Sequence, residues 1–445
     1  MSAVIEDRDA LRSSFERFAA AHAASEPAWL RERRTVAFAR FVEKGLPGPR
    51  DEAWRQTPSG PLTKTRFEPA GPAAGSAAAA LVPHDASAGV EVVFVNGRLA
   101  PALSRLPAGV AGVSVSSLRE ALRSAPSSLE PHLGRALPEQ AGVFADLNAA
   151  FADDGALVRI APGAAVAEPI HVVHVSLPGA VPTVAYLRTL VLAGPGSESC
   201  VVETFVGGAG GGYLLNAVTE LVAADGAHVD HYKLQREGPQ GLHVATLAAR
   251  LGRDARFRDH AVSLGAALSR NDVSLRFDAE GGEGTLDGLF VLDGRRVSDT
   301  HSVVDHARPH CTSRQLYKGI LDGQARGVFN GLVIVRPGAQ KTDAMQTNRN
   351  LLLSREALVH STPQLEILAD DVKCKHGSTT GQLDPLALFY LRSRGIGEAA
   401  ARSLLTWAFA GDVLRGVRVE AVRSAAERQL RAQLPGVADV QEALS

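Results

Sequence analysis

From about Gly155 to Ile367, short runs rich in Val, Leu and Ile alternate with polar residues, and no clear helical pattern interrupts them. Leu157-Val158-Arg159-Ile160, Thr189-Leu190-Val191-Leu192 and Leu332-Val333-Ile334-Val335 are such runs. Their aliphatic, β-branched content suits buried or half-buried strands. Polar turns recur between runs at Asp225-Gly226-Ala227, Arg253-Asp254-Ala255, Glu280-Gly281-Gly282 and Asp322-Gly323-Gln324. A doubly wound α/β sheet needs a helix between successive parallel strands, so this texture disfavours it. A sandwich and a β-helix both remain compatible. The turns fall irregularly, roughly 30 to 40 residues apart, without a clean repeat motif. The strand-rich texture nevertheless lasts roughly 200 residues, long for one sandwich domain, which favours a mainly β fold with a β-helix core.

The flanks read as helices. Leu11, Phe15 and Phe18 recur at helical spacing, and Trp29 to Lys44 repeats the pattern with Leu30, Val36, Ala37, Phe41 and Val42. Gly45 and Pro47 end that helix. Pro69 to Ser76 is rich in Ala, Gly and Pro and reads as a linker. Val90 to Val95 is a strand signal, and Asn96-Gly97 is a tight-turn signal. Near the other end, Asp384-Pro385 marks a helix start, because Asp caps free backbone N–H groups and Pro suits the first helical position. Leu386, Phe389 and Tyr390 then share one face, compatible equally with core packing and with partner contact. Gly395-Ile396-Gly397 breaks the chain. Glu398 to Ala410 puts Ala401, Leu404, Leu405 and Ala408 on one stripe, and Val419 to Leu434 gives a third helix.

Composition removes several function classes. A formal net charge of -1 over 445 residues leaves neither a global basic field for nucleic acid nor an acidic excess. Cys200, Cys311 and Cys374 are scattered and odd in number, which fits reduced thiols rather than a disulfide framework. Acidic residues appear at once in MSAVIEDRDALRSSFERF and no apolar core of a secretory signal follows. No run approaches the ~18 apolar residues of a spanning helix, so a cytoplasmic, membrane-free protein is expected. No GxxxxGK[ST], CxxC or GxSxG occurs, and Gly207 to Gly212 misses the GxGxxG spacing. An autonomous NTPase, a thioredoxin-like enzyme and an α/β hydrolase are therefore disfavoured.

Two segments hold most of the metal-ligating residue types. Asp299 to Cys311 packs His301, His306, His310, Asp299, Asp305 and Cys311 into a short window. Their spacing fits no standard zinc template, and strand histidines bonded to their neighbours are the better reading. In Asp370-Asp371-Val372-Lys373-Cys374-Lys375-His376-Gly377, an extended backbone sends Cys374 and His376 to one face. A thiolate beside an imidazole suits iron or a cluster, although residue statistics favour a buried Cys and a satisfied His. Lys373 and Lys375 point the other way, with the expectation that they lower the thiol's pKa. Two ligands are too few for a cluster, so further ones would come from a partner chain.

Phe329-Asn330-Gly331-Leu332 through Ala344, Thr347-Asn348-Arg349-Asn350 through Ser354, and Pro363-Gln364-Leu365-Glu366-Ile367 form long, nearly contiguous runs. Together with Asp370 to Gly377, Gly381-Gln382-Leu383-Asp384 and Leu388 to Ile396, they resemble the SufB/SufD family of SUF iron–sulfur cluster assembly proteins. The resemblance is strongest from His301 to Val413, and Lys373 to Gly377 and Leu388 to Ile396 side with its SufD branch rather than SufB. It implies a helical N-terminal region over 1–150, a right-handed parallel β-helix core over 151–368 and a helical C-terminal domain over 369–445. It implies a non-catalytic scaffold that pairs with SufB through the β-helices and docks the ATPase SufC on the C-terminal domain. ATP-driven SufC dimerisation would deform the pair and expose an assembly site at its interface. The site histidine of the SufD branch maps to His376, with Cys374 in a supporting role. Asp384, Leu386, Phe389, Tyr390 and Arg392 fall where SufC would dock. No tightly bound cofactor is implied, only a transient cluster or iron, and no flavin fingerprint is present.

Two other readings stay open at this level. A carbohydrate-active β-helix enzyme would use clustered Asp and Arg for acid–base chemistry. A self-sufficient homodimeric iron–sulfur protein would pair the same free sheet edge with itself.

Overall fold

The computed structural model describes residues 2–433 except 49, 72–74, 85–86, 107–109 and 140. Its strands alternate between two sheets. One stacks Ala156–Ile160, Thr183–Ala193, Tyr213–Ala223, Gly241–Leu251, Leu268–Phe277, Val297–His306, Arg326–Val335 and Leu358–Ile367. The other stacks Val90–Val95, Ile170–Ser176, Glu198–Gly207, His228–Arg236, Arg256–Ser263, Glu283–Leu292, Thr312–Leu321, Asp343–Leu352 and Lys373–Gly381. Neighbours along both stacks are parallel, so each circuit of the chain advances one strand spacing. The result is the expected parallel β-solenoid, with about eight turns. The strands continue to Gly381, past the boundary at 368 that the family resemblance implies and up to the helix start at Asp384.

A repeat hidden in the residue types is plain in the backbone. Gly196, Gly226, Asp254, Gly281, His310 and Lys341 all have positive φ. Each sits two positions before a strand of the second sheet. Backbone bonds join successive corners, including Gly226 N to Arg253 O at 2.7 Å and Lys341 N to Asp371 O at 2.7 Å. Conformation repeats while identity drifts, because the stacked hydrogen bonds hold even His and Lys in the left-handed region that favours Gly.

Register determines the core. Val158, Val191, Leu221, Ala249, Leu275, Val304 and Val333 are successive partners on the first sheet. All are 2% exposed or less. Burying each larger aliphatic side chain contributes about 1.5–3 kcal/mol before chain entropy is charged. Ladders of this kind hold each turn to the next, as in other solenoids.

Both flanks close on the solenoid. At the N-terminal side, Phe15 stacks on Phe38 at 4.2 Å, and the Arg270 guanidinium lies 4.7 Å from the Trp54 ring centroid. The buried Arg270 also donates to Asp272 at 2.7 Å and to Asp299 at 2.5 Å. Of the Pro69 to Ser76 linker, residues 72–74 lie outside the described residues, while Glu68–Pro69 pairs with the strand at Thr183. At the C-terminal side, Glu398–Leu414 and Glu420–Gln433 cover the outer face of the second sheet. Leu434, the expected end of the last helix, lies outside the described residues. Ala410, Val413, Leu414 and Leu430 meet Leu234, Val262, Leu289 and Ile320. The buried stripe differs from the sequence expectation: Ala408 is exposed, Leu404 and Leu405 are half-buried, and Thr406 and Ala410 face inward. The helix is rotated so that small residues approach the flat sheet.

Lys318 pins this layer. Its side chain is 2% exposed, and Nζ donates to Phe409 O at 2.8 Å and Asp412 at 2.6 Å. Lys318→Ala is expected to cost about 1–3 kcal/mol, because the Phe409 carbonyl loses its charged donor. Denaturant titration reads the loss, and hydrogen exchange should place it in Glu398–Leu414 rather than in the strands.

Candidate functional site

The two ends of the solenoid differ. At the start, Val113–Ser117 pairs antiparallel with Ala156–Ile160, and Arg98–Leu99 folds back antiparallel on Val90–Val95. The second pairing uses the Asn96-Gly97 turn, with φ 48° and 81°, the geometry that suits a two-residue hairpin. At the far end, Leu358–Ile367 and Lys373–Gly381 are the last strands of their sheets. Among the described residues no further strand pairs with either. Leu358, Ile367 and Leu368 are 49%, 42% and 51% exposed. Free strand edges beside exposed apolar side chains form a template for another chain.

Cys374 and His376 lie on this last strand, in register with Ala344 and Gln346, two inward-facing residues of the preceding turn. The pair therefore faces the solenoid interior where its stack stops. Cys374 is partly buried against the core, whereas His376 is exposed. Ser378 Oγ meets Ser361 Oγ at 2.7 Å and ties the two terminal strands together across the interior. The expected lowering of the thiol's pKa by Lys373 and Lys375 does not occur. Burial pushes the Cys374 thiol up, the Asp343 carboxylate adds to this, and the Ala344 backbone opposes it. The two lysines alternate outward, where solvent screens them.

The Asp299 to Cys311 window does not converge. His301 lies 3.1 Å from Asp299 on the outer face. His306 is buried and meets Ser313 Oγ at 2.8 Å, and burial pushes its pKa down to about 4. Cys311 is buried at a corner, within 3.4 Å of the Ala279 and Pro309 carbonyls. Among the described residues no group of three or more His, Cys, Asp and Glu is arranged to hold a metal.

Residues 176–409 match the family model described as SUF system FeS cluster assembly, SufBD core domain. Residues 85–172 match the SufBD protein N-terminal region. The iron–sulfur cluster assembly protein SufD of Escherichia coli is 34% identical over 406 residues, 89% of this chain and 91% of that protein. The chain belongs to the SufBD family. A SufBD family protein of Synechocystis is 35% identical over 384 residues, 83% of each chain, and Bacillus subtilis SufD is 27% identical over 282 residues. This SufD homologue is thus a protein of SUF iron–sulfur cluster assembly, and the carbohydrate-active reading falls away.

The helix after the SufBD solenoid begins as expected. Asp384 accepts from Leu386 N at 2.9 Å, and Pro385 opens Pro385–Ser393. No residue of that helix is buried. Leu386, Phe389 and Tyr390 are 77%, 71% and 56% exposed, so core packing does not account for them. Arg392 lies 3.5 Å from Glu398 at the start of the next helix.

Sequence reasoning missed an ionic cluster inside the solenoid. Glu203, His231 and Asp259 are each 2% exposed or less. His231 reaches Asp259 at 2.7 Å with Nδ1 and Glu203 at 3.1 Å with Nε2. Thr189 and Thr219 donate to Glu203 at 2.7 Å each. Burial alone would lower the His231 pKa, but hydrogen bonds and charge from Asp259 and Glu203 outweigh it and raise it to about 9. The available signal was charged residues at inward strand positions where the alternation calls for apolar ones.

Removing His231 takes the hydrogen-bonded imidazole from buried Asp259 and one of two from Glu203, which keeps His174 at 3.3 Å. His231→Leu is expected to cost about 3–5 kcal/mol. Because the folded-state pKa is raised, the wild-type contribution is complete below ~6.5 and is lost as pH rises through the folded value. Denaturant midpoints across that range should fall in wild type, and much less in the variant.

Proposed function

We propose that this chain is a non-catalytic scaffold whose open solenoid end pairs with a SufB-type partner, and that His376 contributes to a cluster-assembly site shared across the junction. The observation that carries this reading is the uncapped end itself, where two free strand edges flank an exposed imidazole and a partly buried thiol. A SufB-type strand laid on Leu358–Ile367 and Lys373–Gly381 would satisfy their outward N–H and C=O groups and cover Leu358 and Ile367. Iron and sulfide are cargo here. A thiol must lose its proton to bind iron, and burial, which pushes the Cys374 thiol up, opposes that loss. His376 takes the leading role and Cys374 the supporting one, as the family resemblance implies.

The second half of the proposal concerns energy input. The exposed face of Pro385–Ser393 offers Leu386, Phe389 and Tyr390, with Asp384 and Arg392 at its rim, as a dock for a SufC-type ATPase. Apolar anchors with a polar rim are the usual anatomy of a protein interface. The helix is followed directly by Glu398–Leu414, which Lys318 fastens to the second sheet. Motion at the dock would reach the solenoid by that route. The three free cysteines fit the reducing cytoplasm as the compartment.

Co-purification with SufB and SufC partners, followed by anaerobic cluster formation, tests the proposal. His376→Ala should leave the complex intact and lower cluster formation by at least about tenfold, the scale already seen for losing a group that only positions a ligand. Phe389→Asp should release the ATPase while the SufB-type pairing persists. A complex that forms normally with both variants, and assembles clusters at the wild-type rate, contradicts the assignment of both sites. Stable self-association of the chain that SufB cannot displace favours the homodimer.

A further inference from the structure

The inward column that ends at His376 turns polar over its last turns. From the edge it runs His376, Gln346, Gln315 and Leu286, each in register with the next. Gln346 is 1% exposed, yet among the described residues neither its amide nitrogen nor its amide oxygen has a hydrogen-bond partner. Gln315, 3% exposed, accepts from Ser302 Oγ at 2.8 Å and leaves its own amide nitrogen unpartnered. Leaving both ends of a buried amide unsatisfied is costly, and such groups in native folds call for an explanation. Space for this amide is made on purpose by the facing sheet: a Cβ at Gly331 would stand 2.3 Å from Gln346 Nε2.

We propose that Gln346 is a positioning residue for His376, accepting the imidazole N–H on its amide oxygen once a partner strand covers the open end. This rests on the shared-site reading above. An imidazole that ligates a metal through one nitrogen typically donates its other N–H to a carbonyl or carboxylate, which fixes tautomer and ring orientation. The isolated chain leaves His376 exposed, one strand beyond a buried acceptor with nothing to accept. Covering the end turns the ring toward the interior and supplies the missing donor. The Gln346 amide nitrogen then points down the column to Gln315 Oε1, which Ser302 already holds in place. That bond would orient the amide from below and leave its oxygen facing His376.

The test uses the complex with SufB and SufC partners, and two variants. Gln346→Met removes both polar ends at similar volume, and Gln346→Glu keeps an acceptor. If Gln346 positions His376, the isolated Gln346→Met chain melts no lower than wild type, because an unsatisfied amide has been removed. Its complex assembles, but cluster formation falls about tenfold. Gln346→Glu, which keeps the acceptor but sets its second oxygen against Gln315 Oε1, retains more cluster formation than Gln346→Met, and Gln346→Met with His376→Ala is no slower than His376→Ala alone. Wild-type cluster formation by Gln346→Met, or an equal loss in the His376→Ala background, overturns the proposal while leaving the shared site standing. If His376→Ala itself has no effect, both fall together.

Discussion

Parallel stacking imposes the constraint on which the rest of this structure depends. In a parallel solenoid, every strand's backbone groups are satisfied by the turns before and after it, so the stack is sound everywhere except at its two ends. Here the ends are treated differently. Antiparallel strands at Val113–Ser117 and Arg98–Leu99 turn back on the first turns, whereas Leu358–Ile367 and Lys373–Gly381 stop with their edges free among the described residues. An uncapped end of this length is a liability for a lone chain and an asset for a subunit.

The same stacking places side chains with little freedom. A residue inherits its neighbours above and below from register, so the interior sorts into columns. One column is aliphatic from Val158 to Val333 and supplies cohesion. Another carries His231, Asp259, Gln315 and Gln346 and finishes at His376. Buried ion groups such as Glu203, His231 and Asp259 stabilise little compared with an apolar core, yet removing any one is costly. A one-residue slip would turn these charges against the wrong neighbours.

Much of this was legible in the sequence, and the failures have physical reasons. The solenoid showed itself through sustained β texture without intervening helices, but its period did not. The left-handed corner position is filled by Gly226 in one turn and by His310 or Lys341 in others, because backbone bonds to the adjacent corner carry the conformation. Asp384-Pro385 announced its helix correctly, since capping is a local interaction. The stripe of Glu398–Leu414 did not, since Ala408 lost to Thr406 and Ala410 once the sheet's flat outer face chose which side could approach. The alternation put Cys374 and His376 on one face, but burial at the end of a stack, which sets the thiol's pKa, is a tertiary property that the two flanking lysines could not reveal.

The central claim is that the free end of the solenoid is an interface. Hydrogen–deuterium exchange of the chain alone and bound to a SufB-type partner tests it most directly. The account predicts that amides of Leu358–Ile367 and Lys373–Gly381 exchange quickly in isolation and become protected on binding, while Val113–Ser117 is unchanged. Binding that leaves the two terminal strands as exchangeable as before would contradict it.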